Sequence, residues 1–307
     1  MRKGMAGITV FLCAALLSGC SQEDGVRTDG YEYLIGVSLT NVMEPWLNNL
    51  VQVISARGEE GGVNLIFRDA AGSTEKQIQD IQALMECGVD LLILSPDGSD
   101  SLNDVMEEVF EEIPVVVVGV EPGSQAYTTV IQADDEGIGK MAGEYIFDEL
   151  YSEGDKIVVI QGVDGSPISS SRLKGFQEAA EGKIPPEQIT YHYGEWLRDV
   201  AEQRMKDFLV VYGKPDVVFA FNDEMAYGAC LACEQLRLDD GVSFIGVDGF
   251  EGEIAGLNLV EKGILDATIQ SPDFGGLAYD TALEILKGNK VERNITIVPK
   301  LISAEES

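Results

Sequence analysis

The run Val217-Val218-Phe219-Ala220-Phe221, followed at once by Asn222-Asp223-Glu224-Met225-Ala226, restricts what this chain can become more than any other stretch. A short, fully apolar run closed by polar residues reads as a strand covered on both faces, the condition of a parallel sheet. Asn222 or Asp223 is placed to cap the helix that follows, with Met225, Ala226, Ala229 and Ala232 on or near its inner face. Phe244-Ile245-Gly246-Val247 running into Asp248-Gly249 repeats the pattern about one strand–helix–strand unit later. Ligands of open parallel sheets sit beyond the carboxyl ends of the strands, so Asn222 and Asp248 are expected to point into one cleft.

The same alternation fills the chain. Strands are expected at 33–37, 63–67, 91–94, 114–118 and 128–131, with helices over 45–58, 73–87, 101–110 and 135–151. A second series has strands at 157–160 and 189–193 before the two runs above, and helices over 169–180, 200–211 and from Asp248 through Leu259. After Thr268-Ile269-Gln270 come Pro272, a helix over 274–287 and a strand at 295–297. Two such series predict an α/β chain of two doubly wound parallel-sheet lobes with right-handed crossovers.

The amino terminus reads differently. Arg2 and Lys3 precede an apolar stretch over 8–17, too short for a membrane span, and Leu17-Ser18-Gly19-Cys20 closes it. Leu-Ser-Gly-Cys resembles the lipobox of bacterial lipoproteins, which implies cleavage after residue 19 and lipidation of Cys20. Residues 1–19 are then a signal peptide and 20–30 a polar tether.

Composition narrows the partners. With 307 residues, 45% of them hydrophobic, the chain can bury one large core or two ordinary ones. A net charge of −32 repels nucleic acid and anionic lipid headgroups, so neither is an expected partner. Cys230 and Cys233 form a C-x-x-C inside a predicted helix with no second ligand pair. A zinc site needs three or four ligands, so packing in a core is expected there, and a disulfide at helical spacing is strained. No metal and no cofactor is expected.

Beyond these readings, the chain after Tyr31 resembles the bacterial periplasmic sugar-binding proteins of the ribose and galactose type. The resemblance rests on Val218 through Ala229 and Gly246-Val247-Asp248-Gly249. It extends to Ser95-Pro96, Ile113-Pro114-Val115, Gln161-Gly162 with Arg172 and Gly175-Phe176, and Ala267-Thr268-Ile269. It implies the type I periplasmic binding fold, two lobes joined by three hinge strands that close around a ligand. The crossings are expected near Ala133-Asp134, Ser271-Pro272 and Val298-Pro299. The first lobe is then 31–133 plus 272–297, and the second 134–271 plus 298–307.

A sugar offers hydroxyls around an apolar C–H face, so its site needs carboxylates, amides and a guanidinium with aromatic faces above and below. The resemblance implies Glu44 and Trp46 as the acid and aromatic of the first lobe. It implies Trp196 as the stacking ring of the second, and Arg172 as a fork gripping two hydroxyls. Asn222 and Asp248 are the implied amide and carboxylate of the second lobe, and Gln270 the amide near a hinge. Ser95 and Asp134 complete the set, Asp134 also being placed to cap a helix.

Three positions depart from the pattern. Gly119 and Val120 stand where ribose-type proteins carry Asp-Arg, and Ile168 replaces an acid of the galactose type. The calcium loop of the galactose type, D-x-[DN]-x-[DN]-G, is absent from the sequence. A less polar first-lobe wall with more room around Gly119 is expected, and a ligand other than ribose or galactose. The expected function is capture of a sugar or polyol for an ABC permease, outside the cytoplasm and on a lipid anchor. The alternative is a ligand-sensing partner of a membrane histidine kinase. An enzyme is not expected: the chain has one histidine and no G-x-S-x-G, P-loop or H-E-x-x-H motif.

Overall fold

A computed structural model of the chain describes residues 31–304 except Asp97, Ser99, Glu253 and Pro272. The signal segment 1–19, the tether 20–30 with Cys20, Pro272 of the second crossing and residues 305–307 lie outside the described residues.

Short apolar runs become central strands. Strands β1 (Leu34–Leu39), β3 (Leu91–Leu94) and β4 (Val115–Val118) are buried at every residue. Alternation sorts their side chains between two cores. Leu91, Ile93, Val116 and Val118 join one cluster, while Leu92, Leu94, Val115 and Val117 join the other. The first core is covered by α1 (Pro45–Gly61) and the second by α2 (Thr74–Glu86) and α3 (Asn103–Glu112). Ser73 caps α2 by accepting from the Lys76 amide, as its sequence predicts. With β2 (Asn64–Asp69), β5 (Thr129–Ala133) and β11 (Asn294–Ile297), these strands form a parallel sheet in the order β11-β5-β4-β3-β1-β2.

The second sheet has the order β12-β10-β9-β8-β6-β7. It is built from β6 (Ile157–Gln161), β7 (Ile189–Tyr193), β8 (Val217–Ala220), β9 (Ser243–Asp248), β10 (Ala267–Gln270) and β12 (Lys300–Ser303). Its helices are α4 (Asp135–Tyr145), α5 (Pro167–Ala180), α6 (Arg198–Tyr212), α7 (Asp223–Leu236) and α8 (Gly256–Glu261). Helix α9 (Phe274–Leu286) follows the second sheet in sequence, yet Phe274, Ala278 and Tyr279 enter the first-lobe core beside α1. The chain therefore passes between lobes at 133–135, 270–274 and 297–300. The first and third passages touch, the Asp134 amide donating to the Ile297 carbonyl at 3.3 Å.

Three elements differ from the sequence reading. The helix expected over 135–151 ends as α at Tyr145 and continues as a π turn, Ile146–Leu150, where the Tyr151 amide reaches back to Ile146 at 2.7 Å. The helix expected from Asp248 to Leu259 shortens to α8, because Gly249 and Gly252 at φ +60° and +148° hold the intervening chain out of helical geometry. Strand β12 was not expected. Lys300–Ser303 has only two apolar residues between polar ends, and it pairs antiparallel with β10 at the edge of the sheet.

One contact sets the geometry near the first crossing. Helices α4 and α5 touch through backbone: a Cβ on Gly139 would lie 1.9 Å from the Arg172 carbonyl oxygen, and one on Gly175 would lie 1.9 Å from that of Glu136. Alanine adds helix propensity of about 1 kcal/mol over glycine, but a methyl driven into backbone cannot be relieved by a rotamer change. Gly139→Ala and Gly175→Ala are each expected to destabilise the protein by about 1–3 kcal/mol net, read as a shift in the urea midpoint. Unchanged midpoints would contradict this close crossing.

Candidate functional site

A cavity with about 590 Å³ of empty space, mouth included, lies between the lobes at the carboxyl ends of both sheets. From the first lobe come Glu44 and Trp46 after β1, Gly119 after β4 and Ala133 at the end of β5. From the second come Arg172 and Ile168 on α5, Trp196 after β7, Asn222 after β8 and Asp248 at the end of β9. Ser271 and Phe274 enter from the second crossing.

Arg172 is the centre of the polar wall. Only 7% of it is exposed. Its Nε donates to Asp135 Oδ1 at 2.8 Å, its Nη1 donates to the Phe221 carbonyl, and its guanidinium lies 5.7 Å from the centre of the Trp196 ring. The other terminal nitrogen has no hydrogen-bond partner among the described residues, and Arg172 lines the cavity. A guanidinium held at Nε and Nη1 presents its remaining donors at a set angle, which suits adjacent oxygens of a ligand.

Two neighbouring residues hold the loops of this lobe. Asn222 Oδ1 caps α7 by accepting from the Met225 amide at 2.8 Å, while its Nδ2 donates to the Trp196 carbonyl at 3.1 Å. Glu195 and Trp196 stand at φ +55° and +64°, so this hydrogen bond ties down a turn that L-residues enter at a cost. Asp223 is buried and accepts from the Gly249 amide at 2.7 Å and from Thr268 Oγ1 at 2.7 Å. Its clasp on Gly249 fixes the backbone directly after Asp248, which sits at φ +113°. Asp248 is 5% exposed, and its carboxylate accepts no hydrogen bond among the described residues.

Burial governs the charges. It pushes Asp248 well above the ordinary carboxylate range, with Asp223 and Asp135 adding repulsion and Arg172 opposing. Burial also raises Asp135 against the pull of Arg172, raises Glu44, and pushes Asp223 up to about 7 despite its two hydrogen bonds. One guanidinium is shared among several carboxylates that water does not screen.

The remaining expected residues fall around this cavity. Ser95 is buried behind Gly119, its carbonyl accepting from Gln77 Nε2 at 3.0 Å, and does not line the space. Asp134 accepts from the Gly137 amide at 2.9 Å and caps α4 outside the cavity. Its neighbour Asp135 lines the cavity instead, because successive helical residues point about 100° apart. Gln270 donates to the Gly249 carbonyl at 3.1 Å and so supports the Asp248 loop from outside. The expectation of room around Gly119 is corrected: a Cβ there would lie 3.1 Å from Trp46 Cη2, so the indole ring occupies that space. Trp46 in turn packs edge-on to Phe274 at 5.2 Å between ring centres.

Asp135 and Phe274 were not singled out from the sequence, and Asp223 was named only as a candidate helix cap, a role that Asn222 takes. Each lies in the first turn of a helix that starts at the cleft, and that position was the available signal. Cys230 and Cys233 lie on the core face of α7 as unbridged thiols, both pushed up to about 12 chiefly by burial.

Comparison with known proteins follows the same lines. A family model described as periplasmic binding protein domain matches residues 35–290. The ribose import binding protein RbsB of Bacillus subtilis (strain 168) is 30% identical, over 98% of this chain and 99% of its own length. Among solved structures, the fructose binding periplasmic domain of the hybrid two component system BT1754 superposes with a TM-score of 0.79 at 29% identity, covering 89% of this chain and 91% of that one. The periplasmic binding protein component of the arabinose ABC transporter from Shewanella sp. ANA-3, bound to α- and β-L-arabinofuranose, gives 0.78 at 25% identity over 89% and 92%.

The raised Asp223 has a thermodynamic consequence. Its pKa stands at about 7 in the fold against 3.8 as the ordinary value, so between these pH values the folded state binds the extra proton. Its contribution to stability is therefore fully present below about pH 4 and is lost as pH rises toward 7. Melting curves of the ligand-free protein between about pH 4 and 7 should show a steeper loss with pH for wild type than for Asp223→Asn. Parallel curves for the two proteins would refute the assignment.

Proposed function

The chain belongs to the periplasmic binding protein domain family, and from that premise we propose that it captures a sugar or polyol between its lobes outside the cytoplasm. It hands that ligand to an ABC importer while held at the membrane by lipid on Cys20. The observation that carries this reading is the make-up of the cavity: Trp46, Phe274 and Trp196 supply apolar ring surface, and Arg172, Asp248 and Asn222 supply donors and acceptors. That pairing matches a molecule with one apolar face and a rim of hydroxyls. The lobes divide at the crossings near 134, 271 and 298, which act as hinges for closure.

One feature favours ligands beyond ribose. The wall that holds Asp-Arg in ribose-type proteins is here Gly119 and the Trp46 ring, so selectivity on that side rests on shape and stacking. A second role, presenting the closed form to a membrane sensor kinase, is favoured by the likeness to a fructose binding domain of a hybrid two component system. Both roles use one cleft.

A thermal-shift screen over pentoses, hexoses and polyols should find a ligand that raises Tm, since saturation at 100 times Kd adds about 2.7 kcal/mol. With that ligand, calorimetry on Arg172→Ala, Asp248→Ala and Trp196→Ala should each show affinity reduced about ten- to a hundredfold, or roughly 1.5–3 kcal/mol. The double change Cys230→Ala with Cys233→Ala should bind like wild type, because those side chains face the core. Wild-type affinity in all three cleft variants would move the site elsewhere. Anchoring is tested separately: in a bacterial host the protein should partition into detergent, and Cys20→Ala should shift it to the aqueous phase.

A further inference from the structure

The charges lining the cavity do not balance. Glu44, Asp135 and Asp248 face it, while Arg172 is the single lining cation. Arg172 spends its Nε on Asp135, which pairs those two groups at 2.8 Å. Glu44 and Asp248 remain, one from each lobe. Neither carboxylate makes a hydrogen bond or ion pair among the described residues, although Asp248 is 95% buried, being 5% exposed. Glu44 stands at the amino-terminal end of α1 without capping it, so its side chain is not spent on the helix either.

The hydroxyls of a neutral sugar can donate to both acids, but they bring no charge to offset them. Closure expels water, and a carboxylate left dry with no cation or full set of donors is costly enough to take up a proton instead. The three rings in the same cavity point the same way. Trp46, Phe274 and Trp196 present the aromatic surface against which a cation is favoured within about 6 Å of a ring centre. Arg172 already uses Trp196 in this manner, and Trp46 and Phe274 have no protein cation over them among the described residues.

We propose that the ligand carries an ammonium group: an amino sugar or amino polyol whose positive charge is held between Glu44 of the first lobe and Asp248 of the second. The proposal rests on the sugar-binding reading above and narrows it. Arg172 and Asn222 then take the hydroxyls, and the aromatic rings take the C–H face and the flank of the ammonium. Because the two acids come from different lobes, the ligand's charge also draws the lobes together, with each acid supplying part of the attraction only in the closed form.

The test uses matched sets of ligands on the full chain in detergent. Each set holds a parent sugar or polyol, its amino-deoxy counterpart and the N-acetyl derivative, in which the charge is removed and the bulk kept. Glucose, galactose, mannose, xylose and ribitol provide five sets. Calorimetry near neutral pH should find one amino member bound at least about tenfold more tightly than its parent, with the N-acetyl derivative no better than the parent. Glu44→Gln and Asp248→Asn should each bring the ratio of amino to parent affinity toward one. Parents that bind as well as or better than their amines overturn the ammonium proposal and leave the sugar-binding reading standing. An amine preference that survives both substitutions overturns the place assigned to the charge. If no member of any set binds, the sugar-binding reading fails together with this one.

Discussion

The backbone at Asp248 is held where an L-residue rarely rests, and the buried Asp223 carboxylate holds it there through the Gly249 amide. A residue at such a φ costs about 1–3 kcal/mol unless its surroundings fix it. The clasp also reaches Thr268 on β10, so one carboxylate links the start of α7, the end of β9 and a neighbouring strand. Asn222, one residue earlier, does the same for the strained turn at Trp196. The ring and the acid that face the cavity therefore stand on loops fixed from beneath by two consecutive side chains. Arg172 depends on this frame as well, since its Nη1 donates to the carbonyl of Phe221 immediately before them.

Much of this was legible in the sequence, for identifiable reasons. Runs such as Leu91–Leu94 and Val115–Val118 are apolar at every position, which only a doubly covered strand tolerates, so the parallel sheets could be read directly. The cleft residues Asn222 and Asp248 followed from the rule that parallel sheets bind at their carboxyl edge, whereas Glu44 came with the family resemblance. The choice between Asp134 and Asp135 did not follow. It depends on how far α4 is rotated about its axis, which the backbone crossing at Gly139 and Gly175 decides. The space beside Gly119 was misread for a related cause: its occupant, Trp46, arrives from another element, and packing across elements leaves no local trace.

The cavity combines a stiff polar wall with an aromatic one. On the second lobe, charge and hydrogen bonds are tied into the protein before any ligand arrives, so little side-chain ordering remains to be done on binding. On the first lobe, Trp46 and Phe274 meet edge-on, and Glu44 is the single charged group. The first side thus offers contour and one carboxylate, and the second an array of donors and acceptors.

The interleaving of the two lobes along the chain bears on how the protein is made. The edge strand β11 and the covering helix α9 of the first lobe come from residues 274–297, after every parallel strand of the second sheet. A chain emerging amino terminus first can pair β1 through β5 early, yet the core beside α1 stays uncovered until α9 arrives. The first lobe to begin is therefore unable to finish before the second is nearly whole. Contacts such as β5 with β11 span more than 160 residues and make closure of that sheet a late, slow event in folding, with apolar surface open in the interval.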